Sequence, residues 1–149
     1  MDLVARVRQG FFPEVYDQEC KTPGSLQLCL LKKHSGARYC LAVAEFDPTA
    51  DLASQIAAMR AAVRQATGAL WMFKEVGAYL VLHADAADVN LHADQLEVDK
   101  TGVHAVIVQG IHLVGRDSAE VFKHSQWGGQ TFGSADAIGA RISDIVRSR

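Results

Sequence analysis

Val103 to Gly115 carries apolar side chains at both odd and even positions. In an extended strand, Ala105, Ile107, Gln109, Ile111 and Leu113 point one way. His104, Val106, Val108, Gly110, His112 and Val114 point the other. Apolar demand on both sides predicts a central strand covered on both faces. Gly110 in its middle predicts a bulge or a close backbone approach. Arg116-Asp117-Ser118 predicts a turn, with Glu120 to Trp127 returning as the next strand.

The rest of the chain alternates between the two periodicities. Residues 2–10 suit a short helix with Leu3, Val4 and Val7 on one side, ended by Gly10. Phe11 and Phe12 follow as an apolar anchor, and Thr22-Pro23-Gly24 is a turn signal. Leu26, Leu28 and Leu30 alternate with Gln27, Cys29 and Leu31. Arg38 to Phe46 returns as a second strand after a turn at His34-Ser35-Gly36-Ala37. Asp47-Pro48 predicts a helix start, with Asp47 as cap and Pro48 in the first turn. Leu52, Ile56, Met59, Val63 and Ala66 form its apolar stripe, Gly68 stops it, and Arg60 and Arg64 fall on the solvated side. Residues 69–83 are β-rich: either two strands, roughly 69–74 and 78–83, about a bend or tight turn at Glu75-Val76-Gly77, or one long bulged strand. Ala84 to Asn90 reads as a loop or single helical turn. Asp99 to Gly102 predicts a tight turn pairing Leu91–Val98 with Val103 onward. Ser134 is a suitable N-cap for a last helix carrying Ile138, Ile142 and Ile145.

These elements predict one domain over 1–149: an irregular segment 1–24, a hairpin 25–46, a helix 47–68, strands and a meander 69–127, and a helix 134–147. The expected class is α+β, an antiparallel sheet of five to six strands with two amphipathic helices mainly on one face. This order is loosely similar to profilin-like and roadblock-type domains, and less so to type III secretion chaperones. The likeness is one of element order, without a shared motif. Because 26–31, 79–82 and 103–108 are apolar on both sides, the second face needs cover from the N-terminal segment, a ligand or a second subunit. A homodimer formed through that face is the expectation.

Composition narrows the function. Charged residues are 21% and the formal net charge is −2, which argues against a broad nucleic-acid-binding surface. No apolar run approaches the roughly 18 residues of a membrane span. The first fifteen residues lack the apolar core of a secretory signal. Cys20, Cys29 and Cys40 form no C-x-x-C pair, so buried thiols in a reducing cytoplasm are expected and a zinc ribbon is not.

Six histidines raise the question of a metal, but no H-E-x-x-H or H-x-H occurs. No metal ligand, cofactor or catalytic residue is assigned. The acidic run from Asp85 to Asp99 is a solvated edge or a docking surface for a basic partner. The remaining lead is Trp127-Gly128-Gly129-Gln130 running to Ser134. Glycines before a helix start expose backbone N–H groups that suit an anion, and Trp127 offers a flat wall. With His112 and His124 on the preceding strands, these seven positions (His112, His124, Trp127, Gly128, Gly129, Gln130, Ser134) make the candidate ligand site. Two functions are therefore expected. The first is a small cytosolic, non-catalytic interaction or regulatory domain that associates with itself and another protein, in a chaperone-like or toxin-neutralising role. The second is a small-ligand or anion-binding domain, or an enzyme, built on the 127–134 loop and the histidine-bearing strands.

Overall fold

The computed structural model describes residues 2–34, 37–70, 74–93, 96, 105–125 and 135–148. The elements run in the order α1 (Leu3–Phe11), β1 (Gln18–Glu19), β2 (Leu26–His34), β3 (Ala37–Glu45), α2 (Leu52–Thr67), β4 (Val76–Ala84), α3 (Ala86–Leu91), β5 (Val106–Gly115), β6 (Glu120–His124) and α4 (Ala135–Arg147). The six strands form one sheet in sequence order, β1-β2-β3-β4-β5-β6.

The class is α+β, but the sheet is mixed rather than antiparallel. β3 pairs with β4, and β4 with β5, in parallel. The other neighbours are antiparallel. Parallel neighbours need crossovers, and α2 and α3 lie within them. Two successive crossovers of the usual right hand, stepping the same way along a sheet, put both helices on the same face. Met59 and Val63 of α2 and Val89 of α3 accordingly pack with Leu80, Leu82, Ile111 and Leu113.

The opposite face is covered by α1 and α4. Val7, Phe11, Ile142 and Val146 pack there with Leu28, Leu30, Leu41, Val43 and Val81. Helices thus lie on both faces, where two helices mainly on one face were expected. The apolar demand that suggested a second subunit is met within the chain. β4 and β5 are buried almost throughout, as inner parallel strands with two covered faces should be.

Several local expectations are revised. The first helix passes Gly10 and ends at Phe11, with the Asp2 side chain accepting from Ala5 N at 2.8 Å. The second helix begins at Leu52, capped by Asp51, which accepts from Ser54 N at 3.0 Å. Asp47 instead closes the preceding turn, accepting from Thr49 N and Oγ1 at 2.9 and 2.6 Å. Gly68 ends α2 in the left-handed region, φ 68°. Arg60 is buried, not solvated. Buried Arg38 reaches the carbonyl oxygens of Thr67 and Lys74 near the C-terminus of α2, where a cation is favoured by the helix dipole.

Leu91, expected to open a strand paired with β5, is helical instead. Leu91 ends helix α3, and β5 is flanked by β4 along its length and by β6 over Gly110–Val114. Residues 94–95 and 97–98 of the strand expected at 91–98 lie outside the described residues. The tight turn at Asp99–Gly102 and the Ser35-Gly36 turn lie outside the described residues, although His34 and Ala37 are paired as a two-residue hairpin requires. β6 ends at His124, and 126–127 of the strand predicted lie outside the described residues.

Candidate functional site

A bulge in β5 sets up the site. Ala78 pairs with Val108, yet Tyr79 pairs with Gly110, so Gln109 is an extra residue. Beyond it the facing of the strand changes. Val106 and Val108 therefore share a face with Ile111 and Leu113, a set that unbroken alternation would have split. Gly110, His112 and Val114 turn toward α1 and α4.

Tyr79, Gly110 and His124 are in register across three strands. Because Gly110 has no side chain, the Tyr79 ring lies over it and reaches the edge strand. The Tyr79 hydroxyl is hydrogen-bonded to His124 Nε2 at 2.8 Å and to His112 Nδ1 at 2.8 Å. Each imidazole meets a carboxylate on its other side. His112 Nε2 is 2.6 Å from Glu120 Oε2, and His124 Nδ1 is 2.9 Å from Asp136 Oδ1. Ser143 Oγ of α4 donates to the same Glu120 oxygen at 3.0 Å. The result is an unbroken chain of hydrogen bonds from Asp136 at the surface, through His124, Tyr79 and His112, to Glu120.

Alternation on β6 supplies two of the five groups of this array. Glu120, Phe122 and His124 lie two apart and share a face. Phe122 stacks on both imidazoles, with ring centroids 4.8 Å from His112 and 5.1 Å from His124. Gly139 provides the room above. A Cβ there would lie 2.4 Å from His124 Nε2 and 2.8 Å from the Tyr79 hydroxyl.

Burial shapes the electrostatics. The His112 side chain is fully buried. Its desolvation holds the imidazole below its usual range, against the opposing pull of Glu120. Burial also pushes the Tyr79 phenol far up, helped by Glu120 and Asp136, so it stays protonated.

A cavity of about 180 Å³ adjoins the array, lined by Tyr16, Tyr39, Tyr79, Gln109, Ala135 and Ile138 among others. A larger cleft, about 740 Å³, opens at the far ends of β4 and β5, between α1 and α4. Carboxyl ends of parallel strands often receive ligands, but the cations here are already engaged. Arg6 donates to Ser148 O at 2.7 Å, and Arg116 pairs with Glu45 and Asp85. The smaller cavity is the one beside unusual chemistry.

His112 and His124, predicted as site residues, are brought together through one shared partner. Trp127, Gly128, Gly129, Gln130 and Ser134 lie outside the described residues. Tyr79, Glu120 and Asp136 escaped the sequence reading. The alternation Glu120-Phe122-His124 was a readable sign; Tyr79 depends on a parallel pairing that was not foreseen. Among the described residues, no group of three or more His, Cys, Asp or Glu is placed to hold a metal. Cys29 Sγ lies 3.5 Å from Cys40 Sγ. Hydrogen bonding to Cys29, then burial, pushes the Cys20 thiol far up, so it is not an activated nucleophile. Comparison with protein-family models, curated proteins and solved structures found no match.

Proposed function

We propose that this chain is a small-molecule-binding domain, with its ligand in the cavity beside Tyr79 and under the first turn of α4. The observation that carries this reading is the convergence of His112 and His124 on Tyr79, whose side chain also lines that cavity. Clustered titratable groups with shifted equilibria, next to a concave site, are a physical mark of function. The cavity is lined by aromatic rings, an amide and aliphatic groups, so the ligand class is a compact neutral molecule with hydrogen-bond acceptors. Its volume is comparable to the roughly 150 Å³ that accommodates a benzene-sized guest.

The test is a thermal-shift and ligand-observed NMR screen with small phenols, ketones and amides, run beside phosphate, nucleotides and divalent metals. Saturable stabilisation by a neutral compound, abolished in Ile138→Trp, is expected. Stabilisation by phosphate alone, or by no neutral compound at millimolar concentration, would overturn the reading.

A non-catalytic interaction domain is the second reading, and one observation favours it. Among the described residues β6 is an edge of the sheet and leaves Phe122 half exposed, an arrangement that invites pairing with another strand. A two-fold pair made edge to edge would then replace the face-to-face dimer first expected. Light scattering that gives a monomer at high concentration, unchanged by Phe122→Lys, would remove it. A reducing compartment such as the cytoplasm is the proposed setting, supported by three cysteines that are all free thiols. No helix among the described residues is long and apolar enough to cross a membrane.

A further inference from the structure

The bonds of the array can be counted against its protons. Four run in line: Asp136 to His124, His124 to Tyr79, Tyr79 to His112, and His112 to Glu120. Each needs one proton between its two heavy atoms. Two neutral imidazoles and one phenol bring three, and ionised carboxylates bring none. Turning the chain around does not help. If Tyr79 donates to His112, neutral His124 must donate to Tyr79, and its Nδ1 faces the Asp136 carboxylate bare. If Tyr79 donates to His124, neutral His112 faces Glu120 bare instead.

We infer that the array is a proton-binding site, taking up one proton beyond its neutral imidazoles and phenol to complete the fourth bond. The inference is independent of what fills the neighbouring cavity. Two carboxylates and one imidazolium then leave the array with a single negative charge.

Burial decides where the proton rests. Among the described residues, the groups facing the array are Tyr79 from β4, His112 from β5, Glu120 and His124 from β6, and Asp136 with neutral Ser143 from α4. The charges acting on His112 are those of Glu120 and His124, and on Tyr79 those of Glu120 and Asp136. His112 is fully buried and is the costlier place for a cation. It is therefore the Nε2–H tautomer, donating to Glu120 and accepting from Tyr79. His124 donates from both ring nitrogens, to Tyr79 and to Asp136. When the proton leaves, the bond that fails is the outer one, because Asp136 is 66% exposed and water can replace its partner. The proton thus fastens the first turn of α4 to the edge strand.

Imidazole ¹⁵N NMR on the whole chain tests this. At pH 7, His124 is expected doubly protonated and His112 a neutral Nε2–H tautomer. Asp136→Asn offers an N–H donor to His124 Nδ1 and completes the four bonds with no further proton, so the imidazolium signal at pH 7 should be lost. Glu120→Gln supplies the missing donor at the other end and should have the same effect, which keeps the test available if either variant folds poorly. Two neutral imidazoles at positions 112 and 124 in the unaltered protein, or an imidazolium that survives both amide variants, would overturn the inference.

Discussion

The ring of Tyr79 occupies the space that a side chain at Gly110 would need: a Cβ there would lie 2.4 Å from Tyr79 Cε2. The glycine is thus what lets one residue of β4 reach across β5 to β6. Gly110→Ala should displace the ring and break both hydroxyl bonds. Overpacking and lost hydrogen bonds together predict a loss of about 2–4 kcal/mol, read as a lowered urea midpoint. An unchanged midpoint would mean that Tyr79 does not lie over Gly110.

Gly139 offers a test with an unusual sign. In an ordinary helix position, Gly→Ala stabilises by about 1 kcal/mol. Here the new methyl would press on His124 and the Tyr79 hydroxyl, so Gly139→Ala should destabilise by about 1–3 kcal/mol. A raised Tm would contradict the close approach of α4 to the array.

Tyr79→Phe keeps the ring and removes the shared oxygen. Two imidazole nitrogens are left without a partner, and a loss of about 2–3 kcal/mol is expected. A double-mutant cycle with His124→Phe should return a coupling of at least about 1 kcal/mol. Strict additivity would show that the bond contributes nothing.

Acid should weaken the fold near the imidazole range. Burial holds both His112 and His83 below the usual value. Below about pH 6.5 the unfolded chain binds protons at these positions that the folded chain resists. Stability contributed by the neutral forms is therefore present above that pH and lost as pH falls. The proton proposed for the array acts oppositely. Its contribution is present at lower pH and lost as pH rises, so the stability of the unaltered protein relative to Asp136→Asn should decline on the alkaline side. Denaturant melts at pH 5, 7 and 9 separate the two trends.

The cover over the second sheet face depends on α1. Phe11 is buried against Leu28 and Leu41 within one apolar cluster, and Phe11→Ala should cost about 3–5 kcal/mol. Deleting residues 1–12 should uncover Leu28, Leu30 and Leu41 and drive association, seen as concentration-dependent light scattering. A deleted chain that scatters like the complete one would show that α1 is not the cover.

What was legible in the sequence was local. Residues 25–46 read as a hairpin because the alternation from Leu26 to Leu31 and the apolar return from Arg38 to Phe46 flank the turn signal His34-Ser35-Gly36-Ala37. The stripe from Leu52 to Val63 and Gly68 after it read as a helix and its stop. Asp47-Pro48 misled because a capping residue can as readily close a turn, and Asp51 lies four positions on. The direction of pairing was not legible. Leu80–Leu82 and Val106–Val108 carry the continuous apolar runs typical of inner parallel strands, yet the same runs fit an antiparallel sheet awaiting a second subunit. The site suffered from the same gap. His112 and His124 could be named, but a one-residue bulge at Gln109 decides which face His112 takes, and a parallel register decides that Tyr79 stands between them.

The pairing of α1 with α4 also has a consequence for the order of events during synthesis. Arg6 and Ser148, joined by one hydrogen bond, are 142 positions apart. The first helix leaves the ribosome long before its packing partner exists. The hairpin and the β3-α2-β4 unit can assemble while the chain is still growing, but the α1 side of the sheet is completed only when α4 arrives. Such late, long-range closure slows folding and leaves Leu28, Leu30 and Leu41 under incomplete cover until α4 has been made.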